Sequence, residues 1–276
     1  MAEIEIKEVG SSVKAMGLMT NYHDYGDGAP VVLLHGSGPG VSAWANWRLT
    51  IPEMADQFRV IAPDIAGYGW TDLDADADYT MDYWVRHLEK FLDALGLEKV
   101  SFVGNSFGGV LATSFAVKNP HRVDRLVLMG ANCLSYSLPE ALDHVWGYDP
   151  SIDNMRKLLN WFVHNKSLIS EEVVEARHAL TTRSAYADAY KAMFPAPRQK
   201  ILDSWAIDES DLSALDVKVL ILHGREDAFV PIDVSYRLFN LIPKSQLHLF
   251  GHCGHWVQGE KPEEFNELIK SFLNKK

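Results

Sequence analysis

A serine, an aspartate and a histidine occur in this chain in the contexts that nucleophilic hydrolysis requires. Ser106 lies in residues 104–108, GNSFG, directly after the apolar run at 100–103 and before a helical segment. The flanking glycines allow the strained strand-to-helix turn that projects the serine hydroxyl beyond the end of the sheet. The sequence therefore predicts Ser106 as a nucleophile.

A serine hydroxyl needs a base and an orienting carboxylate, and both follow in the chain. Asp227 comes directly after the apolar run at 219–222, and His255 follows the run at 247–250. The order Ser, Asp, His is the one found in hydrolases built on a strand-turn-helix nucleophile. Ser106, Asp227 and His255 are thus the predicted catalytic triad.

Each partner of the serine has a rival close by. Glu226 is the alternative acid and His252 the alternative base, whereas residues 130–133, GANC, offer no carboxylate after the preceding strand. His252, Cys253 and His255 could together suggest zinc. No second His/Cys pair lies at a suitable spacing, so we expect neither a metal nor a cofactor.

A glycine-rich segment follows the apolar run at 31–34 and is typical of an oxyanion-binding loop. This glycine loop, residues 35–40, reads HGSGPG. The backbone N–H groups of Ser37 and Phe107 are the predicted oxyanion donors. The same loop also fits a tight turn that His35 anchors by hydrogen bonds, and the two interpretations are compatible.

Short apolar runs alternate with helical patterns along most of the chain. The runs at 31–34, 59–62, 100–103, 125–128, 219–222 and 247–250 predict buried parallel strands with helices on both faces. Thr80 and Gly96 are placed to cap a helix over 81–95, a helix after Ser106 should end at Asn119, and another should span 262–273. The expected fold class is α/β, with a mostly parallel central sheet.

The alternating pattern stops between residues 135 and 208. Apolar residues there recur at helical spacing without strand runs between them. We expect a helical lid (cap) domain over the carboxyl edge of the sheet, where open α/β sheets bind ligands. The core domain would comprise residues 1–134 and 209–276.

Composition excludes several classes of protein. The 276 residues carry a net charge of −11 and are 47% hydrophobic. This acidic balance disfavours nucleic acid and membrane surfaces, and no apolar run approaches the roughly 20 residues of a membrane helix. Residues 1–26 alternate polar and apolar positions, which predicts opening strands rather than a leader peptide. Cys133 and Cys253 are expected to be reduced, in a soluble cytoplasmic protein.

Several segments together resemble the meta-cleavage product hydrolases of the α/β-hydrolase fold. They are the glycine loop and residues 44–48 (WANWR), 104–109 (GNSFGG), 193–198 (MFPAPR) and 252–256 (HCGHW). The resemblance implies cleavage of a carbon–carbon bond in 2-hydroxy-6-oxo-2,4-dienoates from monocyclic aromatic degradation, of the 2-hydroxy-6-oxo-hepta-2,4-dienoate or 2-hydroxymuconate semialdehyde type. The products would be 2-hydroxypenta-2,4-dienoate and a small carboxylic acid. It also implies a homo-oligomer, a dimer or larger.

The resemblance further implies which residues hold the small-molecule dienoate. Arg177 matches a lid arginine, whose planar guanidinium suits a carboxylate. The remaining implied contacts are Asn46, Asn105, Gly38 and Trp256 near the dienoate, and Trp146, Leu142, Phe229 and Val230 around the departing acyl group.

Two other functions use the same residues. A carboxylesterase would need the same triad but not Arg177. A ligand receptor without turnover is also compatible with the fold.

Overall fold

The computed structural model describes residues 7–74, 76–183 and 185–275. Its strands are β1 (Ser11–Ala15), β2 (Leu18–Tyr25), β3 (Ala29–Leu34), β4 (Phe58–Pro63), β5 (Val100–Asn105), β6 (Val123–Met129), β7 (Lys218–Gly224) and β8 (Ser245–Phe250). They form one sheet in the order β1-β2-β4-β3-β5-β6-β7-β8. From β4 to β8 all neighbouring strands are parallel, whereas β1, β2 and β4 pair antiparallel.

The helices connect the strands and cover both faces of the sheet. They are α1 (Ala43–Trp47), α2 (Ile51–Met54), α3 (Met81–Ala94), α4 (Phe107–Lys118), α5 (Glu140–Trp146), α6 (Ile152–Phe162), α7 (Glu171–Thr181), α8 (Tyr186–Met193), α9 (Gln199–Trp205), α10 (Glu209–Ser213), α11 (Ile232–Leu241), α12 (Val257–Glu260) and α13 (Pro262–Asn274). Within the described residues, none of them has the length and apolar content needed to cross a bilayer.

The sheet divides the core into two layers. Val31 and Leu33 of β3 pack with α1, α2 and α13, whereas Val32 and Leu34 of the same strand pack with α3 and α4. Successive side chains of a strand point to opposite faces, so a strand covered on both sides is apolar throughout. This confirms the predicted α/β fold with a mostly parallel sheet.

The prediction of complete burial is wrong for the last strand. β8 lies at the edge of the sheet, and its side chains alternate between partly buried and exposed until Phe250. An apolar run therefore did not distinguish an edge strand from a central one.

The predicted opening strands begin in residues 1–6, which lie outside the described residues. From residue 7 onward they correspond to β1 and β2.

The predicted helix signals are confirmed. The Thr80 hydroxyl accepts the Tyr83 N–H at 3.3 Å at the start of α3, and Gly96 follows that helix with a φ of 68°. α4 ends at Lys118, before Pro120. The helix predicted over 262–273 is α13.

The segment between β6 and β7 contains helices α5 to α10 and, in its described residues, no strand. We call residues 135–208 the helical insertion. The N–H of Ile207 donates to the Cys133 carbonyl at 2.9 Å, so the chain leaves and re-enters the core at one place. The insertion follows β6 at its carboxyl end, which is also the end of β5 where Ser106 lies.

Candidate active site

Ser106 occupies a strained turn between β5 and α4. Its φ of 52° and ψ of −117° lie outside the regions that L-residues prefer. Its N–H donates to the Met129 carbonyl at 2.8 Å. Glycine is required on both sides, because a Cβ on Gly104 would lie 2.5 Å from Gly108 and one on Gly108 would lie 2.2 Å from the Leu34 carbonyl oxygen. Close packing of strand and helix thus holds the serine at the end of the sheet.

Asp227 and His255 form a buried pair near the carboxyl ends of β7 and β8. His255 Nδ1 lies 2.6 Å from Asp227 Oδ2, and Asp227 Oδ1 accepts the backbone N–H groups of Phe229 at 2.7 Å and Val230 at 3.1 Å. Burial by itself would raise the pKa of Asp227, but the interaction with His255 and the backbone hydrogen bond from Val230 outweigh it, so that this pKa is lowered. The carboxylate is therefore ionised and fixes the orientation of the imidazole.

The rival residues point elsewhere. Glu226 Oε2 accepts the Cys253 N–H at 2.9 Å, while its Oε1 accepts from Arg225. His252 is exposed, with its ring 5.5 Å from that of His164. Burial raises the pKa of the Cys253 thiol to about 12, so the sulfur stays protonated and is a poor zinc ligand.

One small cavity of about 20 Å³ joins most of the predicted site residues. Its lining includes Ser37, Gly38, Asn46, Asn105, Ser106, Leu142, Arg177, Phe229, His255 and Trp256. This volume is close to the space of one water molecule. A ligand with about ten non-hydrogen atoms needs far more space than one water, so it enters only if lining side chains or the helical insertion move.

Trp146 and Val230, both implied as pocket residues, do not line this cavity. The indole Nε1–H of Trp146 donates to Ser37 Oγ at 3.1 Å, and its ring stacks on Phe194 with centroids 5.1 Å apart. Val230 is buried and contributes its backbone N–H to Asp227. Both residues therefore act on the site through Ser37 and Asp227 and do not line the cavity themselves.

The glycine loop is held by a neutral histidine. His35 Nε2 accepts the Ile65 N–H at 3.0 Å, so the ring proton is on Nδ1, which donates to the Gly36 carbonyl at 2.7 Å. The Gly36 carbonyl and the Ser37 N–H share one planar peptide unit, and this bond therefore holds that peptide unit from the side of the core. Phe107 is the first residue of α4, and its N–H has no acceptor within the helix.

Arg177 is a buried cation beside the same cavity. It is 6% exposed; its Nη2 donates to the Pro39 carbonyl at 3.0 Å, and its guanidinium lies 5.4 Å from the Trp256 ring. Its Nε has no hydrogen-bond partner, and no carboxylate pairs with it among the described residues. Burial lowers its pKa to about 10, which leaves it charged at neutral pH. A buried, uncompensated guanidinium favours an anionic ligand.

Known proteins share this fold over nearly the whole chain. A family model described as alpha/beta hydrolase fold matches residues 29–262. A 2-hydroxy-6-oxo-2,4-heptadienoate hydrolase from Pseudomonas putida strain F1 is 51% identical over 96% of this chain and 96% of its own. A 2-hydroxymuconate semialdehyde hydrolase from Pseudomonas sp. strain CF600 is 47% identical over 96% and 94%. The chain belongs to the meta-cleavage product hydrolases.

A solved structure extends this relationship to the backbone. The meta-cleavage product hydrolase CumD from Pseudomonas fluorescens IP01, a serine-to-alanine mutant complexed with acetates, superposes with a TM-score of 0.95. It is 48% identical to this chain, and the match covers 97% of this chain and 98% of CumD. The resemblance inferred from the sequence motifs is thus confirmed.

In this meta-cleavage product hydrolase, sequence reasoning missed two supports of the histidine. The Phe162 carbonyl in the helical insertion accepts the His255 N–H at 2.9 Å. Gly130 has a φ of 53°, and a Cβ there would lie 3.0 Å from His255 Nδ1. A glycine directly after β6 was a usable signal for Gly130. A carbonyl contact does not depend on the side chain, so no signal pointed to Phe162.

The neutral His35 should make this meta-cleavage product hydrolase less stable as the pH falls from 6.5 to 4. Burial lowers the folded-state pKa of His35 to about 4 from 6.5. The unfolded chain therefore binds a proton in this window that the folded chain does not, and the linkage is worth about 3 kcal/mol. In His35→Gln, the free energy of unfolding in urea should depend less steeply on pH between these limits.

The exposed His121 provides the control. His121→Gln should leave the pH dependence of the unfolding free energy unchanged. Equal slopes for wild type and His35→Gln would show that His35 is not held neutral.

Proposed function

We propose that this protein hydrolyses a carbon–carbon bond in 2-hydroxy-6-oxo-2,4-dienoate ring-fission products of monocyclic aromatic degradation. The products are 2-hydroxypenta-2,4-dienoate and a small carboxylic acid. The observation that carries the proposal is the buried Arg177, which lines the same cavity as Ser106 and His255 and pairs with no carboxylate in the part of the chain that the structure describes. The relatives at 51% and 47% identity, a 2-hydroxy-6-oxo-2,4-heptadienoate hydrolase and a 2-hydroxymuconate semialdehyde hydrolase, support the same chemistry.

The triad supplies the nucleophile and its base. His255 takes the proton from Ser106 or from a water that Ser106 directs, while Asp227 holds the other ring nitrogen. Both routes place a tetrahedral oxyanion at C6 of the substrate. The N–H groups of Ser37 and Phe107 are the donors that stabilise it.

Unpaired donors determine the orientation of the substrate. The Arg177 guanidinium binds the carboxylate, and the buried Nδ2 of Asn46, which has no hydrogen-bond partner among the described residues, donates to an oxygen of the dienoate. Asn105, Gly38 and Trp256 lie alongside the dienoate. Leu142 and Phe229, which line the same cavity, then face the acyl group.

The cleavage step consumes one water molecule. The dienol first ketonises, which leaves a CH₂ group at C5 next to the C6 carbonyl. After oxygen adds to C6, the C5–C6 bond breaks, and its electron pair moves through the conjugated chain to the oxygen on C2. That oxygen lies beside the carboxylate, so the cation of Arg177 stabilises the developing charge.

A second cavity of about 350 Å³ supports access from the arginine side. It shares Asn46, Arg177 and Trp256 with the lining of the small cavity, so the two spaces are neighbours on the side of Arg177. A substrate that enters acyl group first ends with its carboxylate at Arg177.

The helical insertion is the lid of this enzyme in our proposal. Residues 1–134 and 209–276 form the core domain, and residues 135–208 form the lid. The hydrogen bond between Cys133 and Ile207 supports these boundaries. The cytoplasmic location and the homo-oligomeric assembly stay predictions from the sequence.

The decay of dienolate colour tests the proposed function. The protein is mixed with the yellow ring-fission products of catechol, 3-methylcatechol and 2,3-dihydroxybiphenyl, and the absorbance is followed. We expect decay with the first two, and slower decay with the third because its phenyl group requires a larger displacement of the residues around the small cavity. Hydrolysis of simple esters without decay of any dienoate would favour a carboxylesterase, and saturable binding without products would favour a receptor.

A further inference from the structure

The glycine loop is held by the helical insertion through side chains from three of its helices. Trp146 Nε1–H donates to Ser37 Oγ at 3.1 Å, and the Tyr190 hydroxyl donates to the Ser37 carbonyl at 2.9 Å. The Tyr186 hydroxyl accepts the Gly40 N–H at 2.9 Å. Arg177 adds its bond to the Pro39 carbonyl. The insertion thus contacts the predicted oxyanion donor and the residues after it.

We propose that Tyr190 is a positioning residue that sets the direction of the oxyanion donor through Ser37, so that the oxyanion hole is complete only when the helical insertion is seated. This inference rests on the proposed role of Ser37 in the reaction. Tyr190 itself does not line the cavity. It acts through the backbone of the loop.

Tyr190 is firmly anchored in the insertion. Its side chain is 2% exposed, and its ring lies 4.9 Å from that of Phe194 and 6.2 Å from that of Tyr186. The hydroxyl shares its proton between the Ser37 carbonyl and the Val145 carbonyl, the latter at 3.1 Å. Burial raises the pKa of Tyr190, so the hydroxyl remains a donor.

The two peptide units of Ser37 are fixed from opposite sides. The unit before Ser37 is held from the core by His35, and the unit after it is held from the insertion by Tyr190. Without the second bond, the loop can rotate about Ser37 and tilt its N–H. Hydrogen bonds weaken steeply as their angle departs from linear, so a small tilt costs transition-state stabilisation.

The variant Tyr190→Phe tests this role because it removes only the hydroxyl. We expect kcat to fall about tenfold while KM stays within about twofold. The same fall in kcat should occur with a dienoate and with p-nitrophenyl acetate, since both pass through an oxyanion. A merely structural role would instead lower the amount of folded enzyme and leave kcat per active site unchanged, which titration of Ser106 with a phosphonate measures.

Tyr148→Phe is the matched control. Tyr148 is also a buried tyrosine of the insertion, but its hydroxyl bonds to the Ser151 carbonyl and His178 instead of the glycine loop. Its removal should leave kcat unchanged with both substrates. If Tyr190→Phe does not fold, Trp146→Phe removes the other donor to Ser37 and should lower kcat by a smaller factor.

An unchanged kcat in Tyr190→Phe, or a rise in KM alone, would overturn the proposal, as would an equal loss in Tyr148→Phe. The measurement with p-nitrophenyl acetate separates this inference from the proposed function. If the wild type turns over no dienoate, the proposed function fails, and ester hydrolysis still decides the role of Tyr190. If the ester is not hydrolysed, the dienoate arm decides it.

Discussion

Ser106→Ala should lower kcat for the dienoate at least about a thousandfold while the protein remains folded. Without the hydroxyl, His255 has no nucleophile to activate, and only the oxyanion donors and substrate binding continue to accelerate the reaction. Steady-state kinetics with the ring-fission product of 3-methylcatechol measure the loss. Ser114→Ala removes another buried serine, about two turns further along α4, and should leave kcat unchanged.

The strained turn supplies a second comparison at the same position. Ser106→Gly should be as inactive as Ser106→Ala but more stable by about 1 kcal/mol, because glycine adopts a φ of 52° and a ψ of −117° without strain. Urea denaturation compares the two variants. Retention of more than a tenth of the wild-type kcat in Ser106→Ala would show that this serine is not the nucleophile or its equivalent.

Arg177→Met should lower kcat/KM for the dienoate at least about a hundredfold and leave p-nitrophenyl acetate hydrolysis within about twofold of the wild type. The dienoate loses the only buried cation proposed to bind its carboxylate, whereas the neutral ester never uses it. Methionine fills similar space and removes an uncompensated buried charge, so the unfolding temperature should not fall.

An arginine elsewhere on the insertion serves as the control for Arg177→Met. Arg156 is partly exposed on α6 and pairs with the exposed Glu171. Arg156→Gln should change neither activity, because exposed pairs contribute little. An equal loss of dienoate and ester turnover in Arg177→Met would contradict carboxylate binding and would place the role of Arg177 in its bond to Pro39.

The nucleophile turn could be predicted because its signals are local. A strand, two glycines around Ser106 and a helix lie within about twenty residues, and the same close packing that needs glycine produces the motif. The choice between Asp227 and Glu226 had no such local signal. Adjacent carboxylates in one loop have the same local signal, and only the fold shows that Asp227 contacts His255.

Contacts across long stretches of chain were beyond sequence reasoning. The hydrogen bond from Tyr190 to Ser37 spans 153 residues, and that from Trp146 to Ser37 spans 109. The tyrosine and tryptophan were typical of a packed helix, and nothing local indicated which loop they would meet. The resemblance to a family implied Arg177 as a carboxylate ligand, but the absence of a carboxylate beside it could be read only from the fold.

The incorporation of labelled oxygen tests carbon–carbon hydrolysis most directly. The ring-fission product of 3-methylcatechol is turned over in H₂¹⁸O, and both products are identified by mass spectrometry. We expect equal amounts of 2-hydroxypenta-2,4-dienoate and acetate, with one ¹⁸O atom from solvent in the acetate carboxylate. Loss of the yellow colour without these two products, or formation of only the ketonised isomer, would contradict the proposed reaction.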